Sequence, residues 1–205
     1  MLIQLLLAIM NFTNNPLTAT IAQHGYISIF VLLVLEAASF PIPSEVVLPA
    51  VGYFAAKGTI DPVLGFAAAI VGGIVGMGID YYIAYFFGKE VVYKHLHLFH
   101  IKKKNILAFD AWFARNGAFA VFVSRLLPIV RGLINFPAGF AEMSLKEFYF
   151  YSITGTVIWD VLLISFGYYA LSVSNFYMVA AAMVAFTIVL YLVYEYAMRR
   201  IRGRK

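Results

Sequence analysis

The sequence predicts an all-α membrane protein, an inverted repeat with two opposed re-entrant helical hairpins plus transmembrane helices. Three observations predict it. The 205-residue chain is 63% hydrophobic and 12% charged, roughly half the charged share of an ordinary soluble domain. Two stretches inside long apolar runs combine charge with helix breakers. FPIPSEVVLPAVG places Glu45 among Pro41, Pro43 and Pro49, and SRLLPIVRGLINFPAGF places Arg125 and Arg131 among Pro128, Gly132, Pro137 and Gly139. Proline breaks a helix and glycine permits turns, and irregular backbone at membrane depth is tolerated only where protein or a water-filled cavity covers it. Third, PAVGYFAA (Pro49–Ala56) is echoed by PAGFAE (Pro137–Glu142), each followed by a turn and an apolar run with glycine and aspartate, Gly76/Asp80 and Gly155/Asp160. Inverted repeats whose discontinuous helices meet at the midplane are a transporter architecture.

Residues 1–20 form an N-terminal segment: MLIQLLLAIM is apolar without a basic n-region, an interfacial or short membrane piece, and NFTNNPLTAT reads as a loop. The membrane domain covers 21–171. Its first apolar run, Ile21 to Phe40, meets the length of about 20 residues that a crossing needs and carries Glu36 near its end. The proline-rich stretch around Glu45 is the first hairpin, and Lys57 to Pro62 is a polar turn. Val63 to Gly88 is apolar and holds Gly72, Gly73, Gly76 and Gly78 beside Asp80; small residues let membrane helices approach closely. Residues 89–117 form a cytoplasmic loop in which Lys102 to Arg115 is expected as an amphipathic surface helix with Ile106, Phe109 and Phe113 on one side. Ala118 to Phe140 is the second hairpin, Glu142 to Glu147 a turn, and Phe148 to Leu171 a span with Trp159 and Asp160. Residues 172–205 supply a last transmembrane helix, Asn175 to Met198, and a basic tail.

The net charge of +5 is clustered, through Lys89, Lys94, Lys102, Lys103, Lys104 and Arg115, and again through Arg199, Arg200, Arg202, Arg204 and Lys205. Beside membrane spans such clusters mark the cytoplasmic face and contact anionic lipid; no nucleic-acid partner is expected. With both clusters inside, Ala118–Phe140 must enter and return on one face, while Lys57 lies outside and the Glu45 hairpin enters from there. The expectation is a multi-pass plasma-membrane protein with loop and C-terminus cytoplasmic. There is no cysteine, which removes disulfide and thiol chemistry.

Glu36, the FPIPSE and LPAVG stretches, Asp80 within GIDYYIAYFFGK, and SRLLPIVRGLINFPAGFAEMS followed by Phe148, Gly155 and Trp159 together resemble the DedA family, also called SNARE-associated or VTT-domain membrane proteins. The resemblance covers about Ile21 to Leu171, and its arginine motif is the specific part. It implies a fold of two opposed re-entrant hairpins flanked by spans. It also implies movement of lipids between leaflets, with undecaprenyl phosphate and phospholipids among the cargoes, and for some bacterial members dependence on the proton-motive force. By the same resemblance Glu36 is the first membrane acid, Glu45 the acid of the first hairpin, and Arg125 and Arg131 the functional arginines. The asparagine that many members carry in the span after the second hairpin has no clear counterpart; Thr154 stands nearby.

The residues themselves fit that chemistry. Two forked guanidiniums six residues apart can converge on one phosphate through paired donors, or each can neutralise a buried acid. Glu36, Glu45, Asp80 and Asp160 all lie within membrane segments, where intramembrane carboxylates form proton relays or permanent ion pairs; for Asp160, after Trp159, a structural or interfacial role is expected. His95, His97 and His100 in HLHLFH lack an acidic ligand at regular spacing and read as an interfacial segment, so neither a metal nor a cofactor is expected. No histidine follows His100, which excludes the arginine–histidine pattern of PAP2-type lipid phosphatases and argues against a rhomboid-type protease; the aspartate-rich signature of CDP-alcohol transferases is absent. A non-enzyme is expected: a flippase or scramblase for a phosphate-bearing lipid, with protons as candidate coupling ions and oligomerisation left open. A proton-coupled exporter of small ions or drugs, and a structural membrane scaffold, are the alternatives.

Overall fold

A computed structural model describes residues 15–88, 103–127 and 130–170, the side chains of 103–110 and of 170 excepted. The N-terminal apolar segment, the histidines of HLHLFH, Pro128, the last predicted span and the basic tail lie outside the described residues.

The described chain is all helical. Asn15 caps α1 (Pro16–His24) by accepting from the Leu17 N–H, with Pro16 in the first turn; proline is tolerated there because its missing donor would be unsatisfied anyway. Thus the predicted loop at Asn11–Thr20 turns helical from Pro16 onward. The run Ile21–Phe40 is not one span either. Gly25, at φ 60°, separates α1 from α2 (Tyr26–Ala37), a left-handed backbone that glycine adopts without steric cost.

Pro41 and Pro43 keep the next segment extended, and α3 (Ser44–Ala56) starts at Ser44. Pro49 lies inside α3, so only two of the three prolines act as the expected breakers. α4 (Pro62–Ile83), capped by Asp61, continues through a π-helical turn, Ala84–Gly88. The predicted surface helix and the first arm of the second hairpin are one helix, α5 (Lys103–Arg125). Two short helices follow, α6 (Val130–Leu133) and α7 (Asn135–Phe140), and then α8 (Leu145–Ala170).

Among the described residues two helical stretches are long and apolar enough to cross a membrane, Pro62–Gly88 and Leu145–Tyr169, of 27 and 25 residues. At about 1.5 Å per residue each exceeds the ~30 Å hydrocarbon core. The exterior is apolar: Val71, Val75, Ile79 and Ile83 form an exposed stripe along α4, with Gly72, Gly76, Met77, Asp80 and Tyr81 buried behind it. Charge lies inside.

Packing is reciprocal. The proline-bearing α3 lies against α8, and the proline-bearing α7 lies against α4 and its π turn. Both contacts need glycine. A Cβ on Gly52 would stand 2.0 Å from the Ile164 carbonyl oxygen, and one on Gly139 2.4 Å from that of Tyr81. One apolar cluster gathers Ile29, Leu33, Leu48, Val51, Trp159 and Leu163; a second gathers Met77, Tyr81, Phe113, Val121 and Phe148. A polar seam links them.

Candidate functional site

The seam starts where α5 ends. Arg125, its last residue, is 1% exposed. Its Nη1 donates to the Arg131 carbonyl at 2.9 Å, and its Nη2 donates to Asn135 Oδ1 at 2.6 Å and Ser152 Oγ at 2.9 Å. The guanidinium also lies 5.9 Å from the centroid of the Phe148 ring. All its acceptors are neutral. They come from the α6 break, α7 and α8, so one side chain ties together three segments that the sequence leaves loosely connected. Gly155 makes room for it, since a Cβ there would stand 2.6 Å from Arg125 Cβ.

Asn135 passes the connection on. Its Nδ2 donates to the Ala37 carbonyl at 3.0 Å and to Asp80 Oδ2 at 3.3 Å. The first contact satisfies a carbonyl at the α2 C-terminus, one of the backbone groups a helix end leaves unpaired. Asp80 Oδ2 also accepts from Ser39 Oγ at 2.6 Å. Ser39 holds φ 61°, a left-handed conformation uncommon for a residue with a Cβ. Asp80 is therefore seated by two neutral donors at the junction of α2, α4 and α7.

Arg131 is held differently. It is 5% exposed, in the short α6. Its Nε donates to Glu36 Oε1 at 3.0 Å, Nη1 reaches Ser44 Oγ at 3.4 Å, and Nη2 stands 3.9 Å from Asp160 Oδ1. The Trp159 ring lies beside it, with its centroid 5.8 Å from Cζ. Glu45, half-buried in the first turn of α3, is within electrostatic reach of Arg131 and Glu36. Gly132 packs near Ser39: a Cβ would lie 3.2 Å from its Oγ.

Glu36, Arg125, Arg131 and Asp80 thus come together as one buried seam, with Glu45 at its edge. Pro41 and Pro43 set the entry to α3, and Pro137 and Gly139 lie within α7. Asp160, for which the sequence suggests a structural or interfacial role, is 0% exposed and faces Arg131, a buried rather than interfacial position. Sequence reasoning missed Asn135, Ser152 and Ser44. Only Ser152 carried a signal, its position: Ser152, Thr156 and Asp160 recur every four residues, which puts them on one face of a helix. Thr154 instead points outward and donates to the Phe150 carbonyl.

An all-helical membrane protein with a lipid-compatible exterior and a charged interior seam is the class that fold and site define. The VTT domain family matches residues 42–169. The chain is 33% identical over 155 residues to the "Undecaprenyl phosphate transporter A" of Staphylococcus aureus, covering 74% of this chain and 76% of that protein. It is 31% identical over 154 residues to an "Alkaline phosphatase-like protein" of Lactococcus lactis, covering 71% and 70%. It is 24% identical over 161 residues to "Protein DedA" of Escherichia coli, covering 75% and 73%. No solved structure matches. The chain belongs to the VTT-domain, or DedA, family of membrane proteins.

Proposed function

We propose that this protein moves a phosphate-bearing lipid, a polyprenyl phosphate or a phospholipid, between leaflets, and that Arg131 is the group that takes the phosphate. One observation carries the reading. Arg131 is a buried guanidinium beside a helix break, with a single close ion pair to Glu36 and a longer contact to Ser44. A planar fork of donors suits a phosphate better than a point charge does, and exchanging one carboxylate for one phosphate keeps its charge matched. Arg125, already committed to neutral acceptors, holds the backbone that presents Arg131. The relative named as an undecaprenyl phosphate transporter supports this choice of cargo class. The two proline-bearing arms, α3 and α7, are read as parts of hairpins that re-enter from opposite faces, so the lipid tail stays in the bilayer while the head group crosses the seam.

The test is reconstitution into liposomes with fluorescent phospholipid or polyprenyl phosphate in one leaflet. Wild-type protein should speed head-group crossing without releasing inorganic phosphate. Folded Arg131→Lys should lose the effect. Folded wild-type protein that moves neither lipid ends the reading; ion flux without lipid crossing favours the exporter, and released phosphate favours a hydrolase. Topology gives a second check. Single cysteines at positions 57 and 103 should label from opposite faces, and labelling from one face removes the two-hairpin arrangement.

A further inference from the structure

We propose that Asp160 is the proton-exchanging carboxyl of this protein and the second seat of the Arg131 guanidinium, alternating with Glu36. Its purpose rests on the lipid-phosphate reading; its geometry does not. Asp160 is 0% exposed, and neither of its carboxylate oxygens has a hydrogen-bond partner. The nearest cation is Arg131, 3.9 Å away and already paired through Nε with Glu36. The surroundings offer no other free cation among the described residues. Glu36 on α2 is the other charged group within electrostatic reach of it; elsewhere in the seam Glu45 on α3 and Asp80 on α4 are also acids, and Arg125 on α5 is engaged by neutral acceptors. One guanidinium therefore serves two buried carboxyls. A buried charge without partner is strongly disfavoured, so the acid that lacks Arg131 carries a proton.

At rest Arg131, Glu36 and Asp160 are then neutral together: Arg131 with ionised Glu36, and Asp160 as the acid. A singly charged lipid phosphate draws Arg131 away from Glu36. Glu36 takes up a proton from one face at its buried, unpartnered Oε2, and the three groups with the phosphate are again neutral together. When the lipid leaves, Arg131 moves to Asp160, whose O–H bond breaks and whose proton departs to the other face. Transfer of the remaining proton from Glu36 to Asp160 returns Arg131 to Glu36. One proton accompanies one negative charge, and no step leaves either acid ionised without the guanidinium.

Infrared spectroscopy of the full-length reconstituted protein tests the seat directly, without a ligand. The wild-type spectrum should contain a protonated-carboxyl C=O band that disappears in Asp160→Asn and is displaced in Asp160→Glu. In liposomes carrying the fluorescent lipids, an imposed pH gradient should accelerate crossing in wild type; Asp160→Asn should lose that acceleration and Asp160→Glu should regain it. Carboxyl bands unchanged in Asp160→Asn, or a folded Asp160→Asn that keeps the wild-type acceleration, overturns the assignment. Should Asp160→Asn fail to insert, the displaced band in Asp160→Glu supports it and an unmoved band overturns it. If wild-type protein moves no lipid, the function reading fails by itself and the infrared comparison alone decides on Asp160.

Discussion

Arg125 and Arg131 are both buried and joined by a hydrogen bond, yet their company differs in kind. Arg125 touches a backbone carbonyl, an amide and a hydroxyl; Arg131 touches a carboxylate closely and faces a second. A guanidinium on neutral acceptors has nothing to release when an anion arrives. A guanidinium on a carboxylate can trade one anion for another. The difference teaches that a pair of arginines in one motif need not form a symmetrical clamp: one fastens the break, and under the proposed function the other exchanges its anion there.

The largest effect should come from Arg125→Leu. It orphans the Arg131 carbonyl, Asn135 Oδ1 and Ser152 Oγ, and each unsatisfied buried acceptor costs about 1–3 kcal/mol. Loss of a monodisperse size-exclusion peak, or a thermal midpoint lowered by the equivalent of several kcal/mol, is expected; an unchanged midpoint would erase the contrast between the two arginines.

Gly52→Ala should come next. Its Cβ would meet the Ile164 carbonyl at 2.0 Å, and such overpacking typically costs about 1–3 kcal/mol. The shift of α3 away from α8 also displaces Ser44 and Glu45 from Arg131, so lipid crossing should fall beyond what the stability loss explains. If stability and crossing are both untouched, the glycine contact does not position the site.

Arg131→Lys should cost little stability, on the order of 1 kcal/mol, because the charge opposite Glu36 remains, while crossing is lost with the fork. Smallest of all, Asp80→Asn keeps the shape and an oxygen that can accept from Ser39. A shift in thermal midpoint worth about 1 kcal/mol or less is expected; a collapse comparable to Arg125→Leu would show that Asp80 compensates the charge of Arg125 through Asn135.

These contrasts also explain what the sequence disclosed. Long periodic features were legible: the stretch ending at Gly88, the helix containing Trp159, and the breaks near Pro43 and Arg131 all read directly from apolar runs and breakers. The split at Gly25 was not, since a lone glycine in an apolar run changes hydropathy little and only its φ reveals the turn. Pro49 was misleading for the opposite reason: it sits inside α3, where the tight crossing with α8 through Gly52 and Gly167 supports a helix that proline disfavours. At the site, charged residues announced themselves by their rarity, whereas Asn135 and Ser152 are small polar residues whose importance lies wholly in what Arg125 reaches. For Asp160 the sequence leaves a structural and an interfacial role open, the latter because it follows a tryptophan, a residue common at membrane surfaces; only the packing of α8 against the break puts its carboxyl before Arg131.

The division between a fastening and a working arginine is tested most directly by nitrogen NMR of guanidinium-labelled protein in nanodiscs, titrated with polyprenyl phosphate or phospholipid. Arg131→Lys and Arg125→Lys assign the two signals. Lipid phosphate should move the Arg131 Nε resonance in a saturable way and leave that of Arg125 in place. Movement of the Arg125 signal with Arg131 unmoved, or equal movement of both, contradicts the account.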